Sequence, residues 1–453
     1  MKNSESTINE RINKSIRTSI TVRIITIIIL ILLLLIPVTM VQDLIRERKQ
    51  RQDEAFREIS SSWADEQKIT GPVITIPYKQ YEKVKNANTQ AYNLIETIEY
   101  AHFFPKTLSI TSDISPKERY RGIYTVIVYN SQLDISGTFS YPNFSTLDID
   151  EKNVLWDKAY ISIGITDVRG IQEQIFMNWE HDTLVFNPGI ENTDLYSTGI
   201  SSPLSLAQSN DKKQHYTFAF NMNCNGSSQL SFLPLGKTTE VSLKAKWGTP
   251  KFEGAFLPDS RTITNDSVYA NWQILHLNRP YPQQLSGTYE THAIQQSEFG
   301  ITLKIPIDHY QKSMRSAKYA ALFITLTFVM FFLIQILQKV RIHPIQYIIV
   351  GLALCIFYTL LIAISEHMAF GWSYLIASSA IVGLIGMYSY FMFNNTRITS
   401  LFLLLLSILY GFIFIIIQLE DYALLMGSIG LFTVLGVVMY LSRKIDWYKT
   451  EAL

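Results

Sequence analysis

The sequence predicts a multi-pass α-helical membrane protein with a large, predominantly β domain, expected to lie outside the cytoplasm, inserted between spans 1 and 2. Three observations carry this. Apolar residues make up 48% of the 453 residues, but they are bunched near the start and in the last third. The apolar runs reach the roughly 20 residues needed to cross a bilayer with every backbone group satisfied inside a helix. The polar middle reads as strands.

The first run, 22–41, contains ITIIILILLLLIPVTMV without a charge. Pro37 sits near its end, where a lost hydrogen bond does least damage. Basic residues (Arg11, Lys14, Arg17, Arg23) precede it, as in a signal peptide. The apolar core is longer than a signal peptide's, and no small-x-small cleavage site follows, so the run is expected to stay as an anchor. Residues 1–21 then form a cytoplasmic tail. Five further runs follow at 317–338, 344–364, 368–393, 398–418 and 422–441, leaving 442–453 as a second cytoplasmic tail. None shows the polar face of an amphipathic core helix. Six spans put both termini on one side, and Lys and Arg near the span ends choose which. The inner segments carry the N-terminal cluster, then Lys339 and Arg341, Arg397, and Arg443, Lys444 and Lys449; the short outer turns hold Glu366 and Glu420-Asp421 with no Lys or Arg. Arg46, Arg48, Lys49 and Arg51 oppose this orientation, as do Lys312, Arg315 and Lys318. Long domains, however, cross largely regardless of charge.

The domain covers 42–316 and opens on a helical stalk, 42–66. Ile45, Phe56, Ile59 and Trp63 fall near one face, and Glu47/Arg51 and Asp53/Arg57 are i,i+4 pairs with the acid leading. Gly71-Pro72 is expected to end the stalk. Strand texture follows at Val73–Ile76, Gly122–Tyr129, Leu133–Phe139, Tyr160–Ile165, Tyr216–Met222, Val241–Trp247 and Ile301–Pro306, mostly with the period of two of a half-buried strand. Asn187-Pro-Gly, Asn225-Gly-Ser-Ser and Trp247-Gly-Thr-Pro are turn chemistry. An antiparallel sandwich or related sheet packing is expected. Trp247, Phe252, Phe256, Trp272 and Tyr281 are read as core in preference to a binding face, since aromatics dominate cores.

The search for chemistry is mostly negative. A net charge of +1 gives no field for nucleic acid. There is no phosphate-binding Gly-Lys-Ser/Thr loop, no His-Glu-x-x-His and no Gly-x-Ser-x-Gly. His181-Asp182 and Asp308-His309 are adjacent pairs, and neighbours on an extended chain point to opposite faces and make poor joint ligands. Cys224, in the polar middle, and Cys355, in an apolar run, are not expected to form a disulfide. No catalytic, cofactor-binding or metal-binding residue is assigned, and no cofactor is expected. The middle of each span carries no charged residue, which disfavours ion-coupled transport. The one site the charges suggest is a junction between the domain and the spans. Asp308 and His309 lie where the chain re-enters the membrane, near Glu366, His367, Glu420 and Asp421 on the outer turns, with Lys312, Arg315 or Lys318 as partners of the acids. Exposed pairs of this kind are individually weak.

The chain resembles the CreD family of bacterial inner-membrane proteins. The segments that carry the likeness run in order along most of it: Leu32–Pro37 with Leu44-Ile-Arg-Glu-Arg, Gly71-Pro-Val-Ile-Thr-Ile-Pro-Tyr, Arg121-Gly-Ile-Tyr, Phe252-Glu-Gly-Ala-Phe-Leu-Pro, His276-Leu-Asn-Arg-Pro and Asp308-His-Tyr-Gln-Lys-Ser. The last third adds His343-Pro-Ile-Gln-Tyr, Gly351-Leu-Ala-Leu, Ser365-Glu-His and Gln418-Leu-Glu-Asp-Tyr-Ala-Leu-Leu. The first twenty residues and 79–93 show little of it. The resemblance implies the inner membrane of a Gram-negative bacterium, a periplasmic domain, and an association with envelope stress and with tolerance to colicins and β-lactams. It supplies no catalytic residue. The expected role is non-enzymatic support of cell-envelope integrity. The expected partners are membrane lipids and a periplasmic or inner-membrane protein or envelope component, with no nucleic acid. A transporter or channel for a lipid or drug, and an unrecognised envelope-remodelling enzyme, are the alternatives.

Overall fold

In lipid a helix alone satisfies its own backbone, and each apolar run forms one. The computed structural model describes residues 20–85, 92–206, 215–288, 290–303, 309–338, 340, 342–419 and 422–443. Among them, six helices are long and apolar enough to span a membrane. The chain is a multi-pass membrane protein with a β domain between its first and second spans. It divides into two units, one of residues 1–52 with 307–453 and one of residues 53–306.

In the membrane unit, helix α1 (Ile20–Trp63) contributes its first part. The short helix α2 (Thr291–Gln296) belongs to the β domain. Helix α3 (His309–Lys318) then leads into α4 (Ala320–Leu337), α5 (Pro344–Ser365), α6 (Phe370–Phe393), α7 (Thr396–Gln418) and α8 (Ala423–Ser442). Large apolar side chains such as Ile29, Leu32, Ile36 and Met40 on α1 and Phe391 on α6 point outward, as lipid-facing residues do. The interior is aromatic. Phe323, Phe357 and Tyr410 pack together, with Phe323 and Tyr410 ring centres 4.4 Å apart, and Phe331 lies 4.6 Å from Phe402. Some polar side chains inside the bundle are tied to neighbours, the Tyr347 hydroxyl donating to Gln335 Oε1 at 3.0 Å and the Tyr374 hydroxyl to the Tyr410 carbonyl at 2.9 Å, while the Thr327 and Ser389 hydroxyls are buried with no partner among the described residues. Gly351 lets α1 approach α5 closely, because a Cβ there would lie 2.1 Å from Leu34 Cδ1.

The β domain is a two-sheet sandwich. One sheet runs β13 (Pro250–Gly254), β17 (Phe299–Leu303), β11 (Gln229–Phe232), β1 (Gln67–Lys85), β5 (Tyr160–Ile165), β9 (Gly199–Pro203) and β8 (Asn187–Pro188). Strand β2 (Tyr92–Phe103) also pairs with β1, and β16 (Gln284–Ser286) with β2. The other sheet runs β14 (Ser260–Ile263), β15 (Val268–Leu275), β12 (Thr238–Ala245), β3 (Thr107–Arg121), β4 (Tyr124–Ser140), β10 (His215–Ser227), β6 (Phe176–Trp179) and β7 (Asp182–Val185). A single apolar core lies between them, with Ile74, Ile76 and Ile161 from the first sheet and Ile110, Leu133 and Phe218 from the second. In the second sheet, β12 alternates buried and exposed, as its sequence predicts, and β15, which is not among the expected strands, alternates in the same way. β5 is buried at every position, because the far face of its sheet is covered too, by a second cluster around Val73, Phe104, Leu195 and Tyr281.

Three expectations are corrected. Helix α1 ends at Trp63, and Gly71-Pro72 lies inside β1. Contacts fix that end in place of a glycine stop: the Trp63 indole donates to the Tyr129 carbonyl at 3.2 Å, and Arg169 Nη1 donates to the Ser61 carbonyl at 2.5 Å. The sheets are mixed, since β1 pairs parallel with β11 and β3 with β12, each joined through a long crossover. Asn225-Gly-Ser stays in β10, and the expected break falls only on the last residue of that stretch, Ser228, at φ 56°. Of the expected core aromatics, Trp272 and Tyr281 are buried, while Trp247, Phe252 and Phe256 pack partly buried against the core.

Candidate functional site

In the membrane unit, three of the expected junction residues, His309, Lys312 and Arg315, lie on α3, and Glu366 touches it through Tyr310. Asp308, Glu420 and Asp421 lie outside the described residues. His309 opens α3 and is half-buried, as are Lys312 and Arg315. Lys312 Nζ donates to Gln418 Oε1 at 3.3 Å and lies 5.9 Å from the Phe370 ring centre, so both of these partners are neutral. Glu366, the residue that ends α5, accepts from the Tyr310 hydroxyl at 3.0 Å and sits 3.8 Å from Arg48 Nε. Its carboxylate therefore meets a cation from α1, which charge patterning did not single out. His367 follows on the turn and is exposed.

In the β domain, three polar side chains far apart in sequence meet under the second apolar cluster. Thr75 of β1 and His102 of β2 are cross-strand partners, and Thr75 Oγ1 lies 3.0 Å from His102 Nδ1. His102 Nε2 lies 3.3 Å from Asp194 Oδ2. A hydroxyl, an imidazole and a carboxylate in line is the order of a base-activated nucleophile. Here Thr75 and His102 are each 2% exposed, so no substrate atom reaches the hydroxyl in this conformation. The hydrogen bond from His102 holds the Asp194 carboxyl below the usual range, against the opposing effect of burial. The line satisfies polar groups that burial would otherwise penalise.

A second polar node locks the end of α1 to both sheets. Asp167 accepts from the Asp65 amide at 3.0 Å and from Arg169 Nη2 at 2.7 Å. Hydrogen bonding by Arg169 is the main reason its carboxyl is held below the usual range. Gln67 Nε2 donates to the Asp167 and Asn225 carbonyls at 2.9 and 3.0 Å. Space there is so close that a Cβ on Gly170 would lie 2.4 Å from the Asn225 carbonyl oxygen. The Cys224 thiol beside it is buried, which pushes it up to about 12, away from the thiolate that nucleophilic work needs.

The third feature is Arg279, in the His276-Leu-Asn-Arg-Pro segment. It is 6% exposed and held by carbonyl and amide oxygens: Nη1 donates to the Tyr281 carbonyl at 2.8 Å, and Nη2 to Gln283 Oε1 at 2.5 Å and the Leu235 carbonyl at 3.2 Å. Its guanidinium also stacks 4.2 Å from the Tyr281 ring centre. Its Nε is buried with no partner among the described residues. Burial pulls its pKa down. Sequence reasoning missed Thr75, His102, Asp194 and Arg279. The only available signal was a polar residue within an otherwise apolar stretch, as Thr75 is in Val-Ile-Thr-Ile. Among the described residues no three His, Cys, Asp or Glu side chains are grouped to hold a metal ion.

The family model described as Inner membrane protein CreD matches residues 19–448. The chain belongs to the CreD family. It is 31% identical over 420 residues to Inner membrane protein CreD of Escherichia coli (strain K12), a match that covers 91% of this chain and 90% of that protein. Six apolar helices and membership of the CreD family together make it a multi-pass inner-membrane protein. The CreD match also runs through both units, taking in Arg279, the Thr75–His102–Asp194 line and the Glu366 cluster.

Proposed function

We propose that this protein supports cell-envelope integrity without catalysis, through a β domain that faces the periplasm and binds a protein partner or another envelope component. The observation that carries the binding reading is the ribbon formed by the ends of β1 and β2. Beyond Tyr78 the two strands pair only with each other among the described residues, from Lys79↔Ile98 to Lys85↔Tyr92. Tyr81, Leu94, Ile95 and Ile98 are 45–62% exposed on it. A two-stranded ribbon is marginally stable by itself, and an exposed apolar surface of this kind marks an interaction site. Tyr81, Leu94 and Ile98 share one face of the ribbon, and the Lys79–Glu96 pair, at 2.8 Å, lies among them there. Support for the periplasmic orientation comes from Lys and Arg at the span ends. The aromatic rings packed together inside the membrane unit, among them Phe323, Phe331 and Tyr410, weigh against reading it as a conduit.

The test is photo-crosslinking in cells, with a benzophenone amino acid replacing Tyr81 or Ile98 in the full-length protein. The same partner band at both positions, absent when the group is placed at buried Ile110, supports the reading. Labelling that is diffuse or matches that at Ile110 refutes it.

A further inference from the structure

The membrane unit holds a cavity of about 510 Å³ between α6 and α7, lined among others by Gly371, Tyr374, Ser379, Gly383, Gly411 and Phe414. The Tyr374 hydroxyl, bonded to the Tyr410 carbonyl, ties the two helices together there. Ser379, Gly383 and Gly411 are exposed, so the cavity opens sideways to the bilayer. Its glycines differ from Gly351 and Gly386, though not from Gly427 and Gly436 of α8, where a Cβ also meets nothing within 4 Å. A Cβ on Gly386 would lie 2.8 Å from Leu403, and one on Gly351 even closer to Leu34, so those glycines admit a neighbouring helix. A Cβ on Gly383 or Gly411 meets nothing within 4 Å, and one on Gly371 meets only Phe414, at 4.0 Å. Nothing in the described residues uses the space they leave.

The cavity has an end and a charge. Gly371 follows the turn after α5, and Phe414 is one helical turn before Gln418, the last residue of α7, so both helices line it toward the same end of the bundle. From Gly371 to Gly383, at about 1.5 Å per residue, α6 extends ~18 Å, a little over half of the roughly 30 Å hydrocarbon core. At that end stands Lys312, its ammonium held between Gln418 and the Phe370 ring, one residue before Gly371. The nearby carboxylate of Glu366 is engaged by Tyr310 and Arg48.

We propose that this cavity holds one acyl chain of a phospholipid from the adjoining leaflet, with Lys312 meeting its phosphate. Length, sideways opening and a cation at the interfacial end are what such a lipid needs: apolar area for the chain, and a charge-assisted hydrogen bond for the phosphate. A helix from a second copy, the other occupant that small residues admit, has no use for a cation at one end. The inference does not depend on the binding role proposed for the β domain.

The experiment uses full-length protein in detergent, titrated with a phosphatidylglycerol that carries a diazirine on one acyl chain, with crosslinks mapped by mass spectrometry. We expect saturable labelling of α6 and α7 peptides that falls at least tenfold in G383L and in G411L. Because the added side chains enter open space, these variants should match the parent in melting profile and elution. Lys312→Ala should weaken labelling several-fold, and Lys312→Arg should restore it. Unchanged labelling in G383L and G411L, labelling elsewhere only, or loss of a dimer in place of loss of lipid would overturn the proposal.

Discussion

Arg279 offers the clearest single perturbation of the β domain. Replacing it with Met keeps much of the side-chain volume and removes every hydrogen bond it donates. The Leu235 carbonyl retains a partner, since Gln283 Nε2 also donates to it at 2.9 Å. The Tyr281 carbonyl and Gln283 Oε1 lose the donors that meet them at 2.8 and 2.5 Å. Buried acceptors left unmet cost about 1–3 kcal/mol each, and the lost stacking on Tyr281 adds about 1 kcal/mol. Removing a buried cation returns some of this, because a desolvated guanidinium is itself unfavourable. A net loss of about 3 kcal/mol lowers Tm by about 6–12 °C in a domain of this size. The assay is tryptophan-fluorescence melting of the full-length protein, with Arg279→Lys as the control expected to fall between, since one ammonium reaches fewer of the same oxygens. If Arg279→Met melts within 1 °C of the parent, the carbonyl cradle is not stabilising and the reasoning fails.

Other outcomes follow from the same geometry. Asp167 and Asp194 both have carboxyl pKa values held below normal when folded. Their contribution is therefore present above the unfolded value of about 4 and is lost as pH falls through the folded values. Denaturant midpoints should drop in that acid window, less steeply in Asp194→Asn. Gly170→Ala puts a methyl 2.4 Å from the Asn225 carbonyl oxygen and 2.6 Å from Gln67 Nε2; urea unfolding should show a loss of about 1–3 kcal/mol, whereas Gly189→Ala, with nothing within 4 Å but φ +101°, should show only a smaller, backbone-derived loss. Glu366→Ala removes the carboxylate that Tyr310 and Arg48 share; limited proteolysis should then cut α3 several-fold faster, and an unchanged rate would mean that cluster does not hold the helix.

What could be read in advance was whatever depends on local periodicity. Six apolar runs with no charge in their middles identified the spans, because lipid imposes one requirement on every residue of a run. Alternation in Val241–Ala245 and Tyr216–Met222 gave strands, because one face of each is buried. What escaped depends on residues brought together from afar. Gly71-Pro72 looked like a helix stop, yet the helix had already ended at contacts with Tyr129 and Arg169. Thr75, His102 and Asp194 share no local pattern, and Arg279 looks like an ordinary surface arginine until its carbonyl cradle is seen. At the membrane end, the acidic turns drew attention to Glu366, but Arg48 and Tyr310 were not singled out as its partners.

The parallel pairing of β1 with β11 carries a consequence for biogenesis. Strand β1 is among the first of the domain to be made, yet Gln67 takes its register from Leu230, and β11 in turn pairs with β17, where Leu230 faces Ile301. A nascent chain emerging residue by residue therefore exposes Ile74, Ile76 and the rest of that strand before much of its sheet exists. Pairings of such long range are slow to close and leave apolar strands open to wrong partners meanwhile. The domain is thus expected to fold late, after nearly all of it has been delivered, and to lean on holding factors until then.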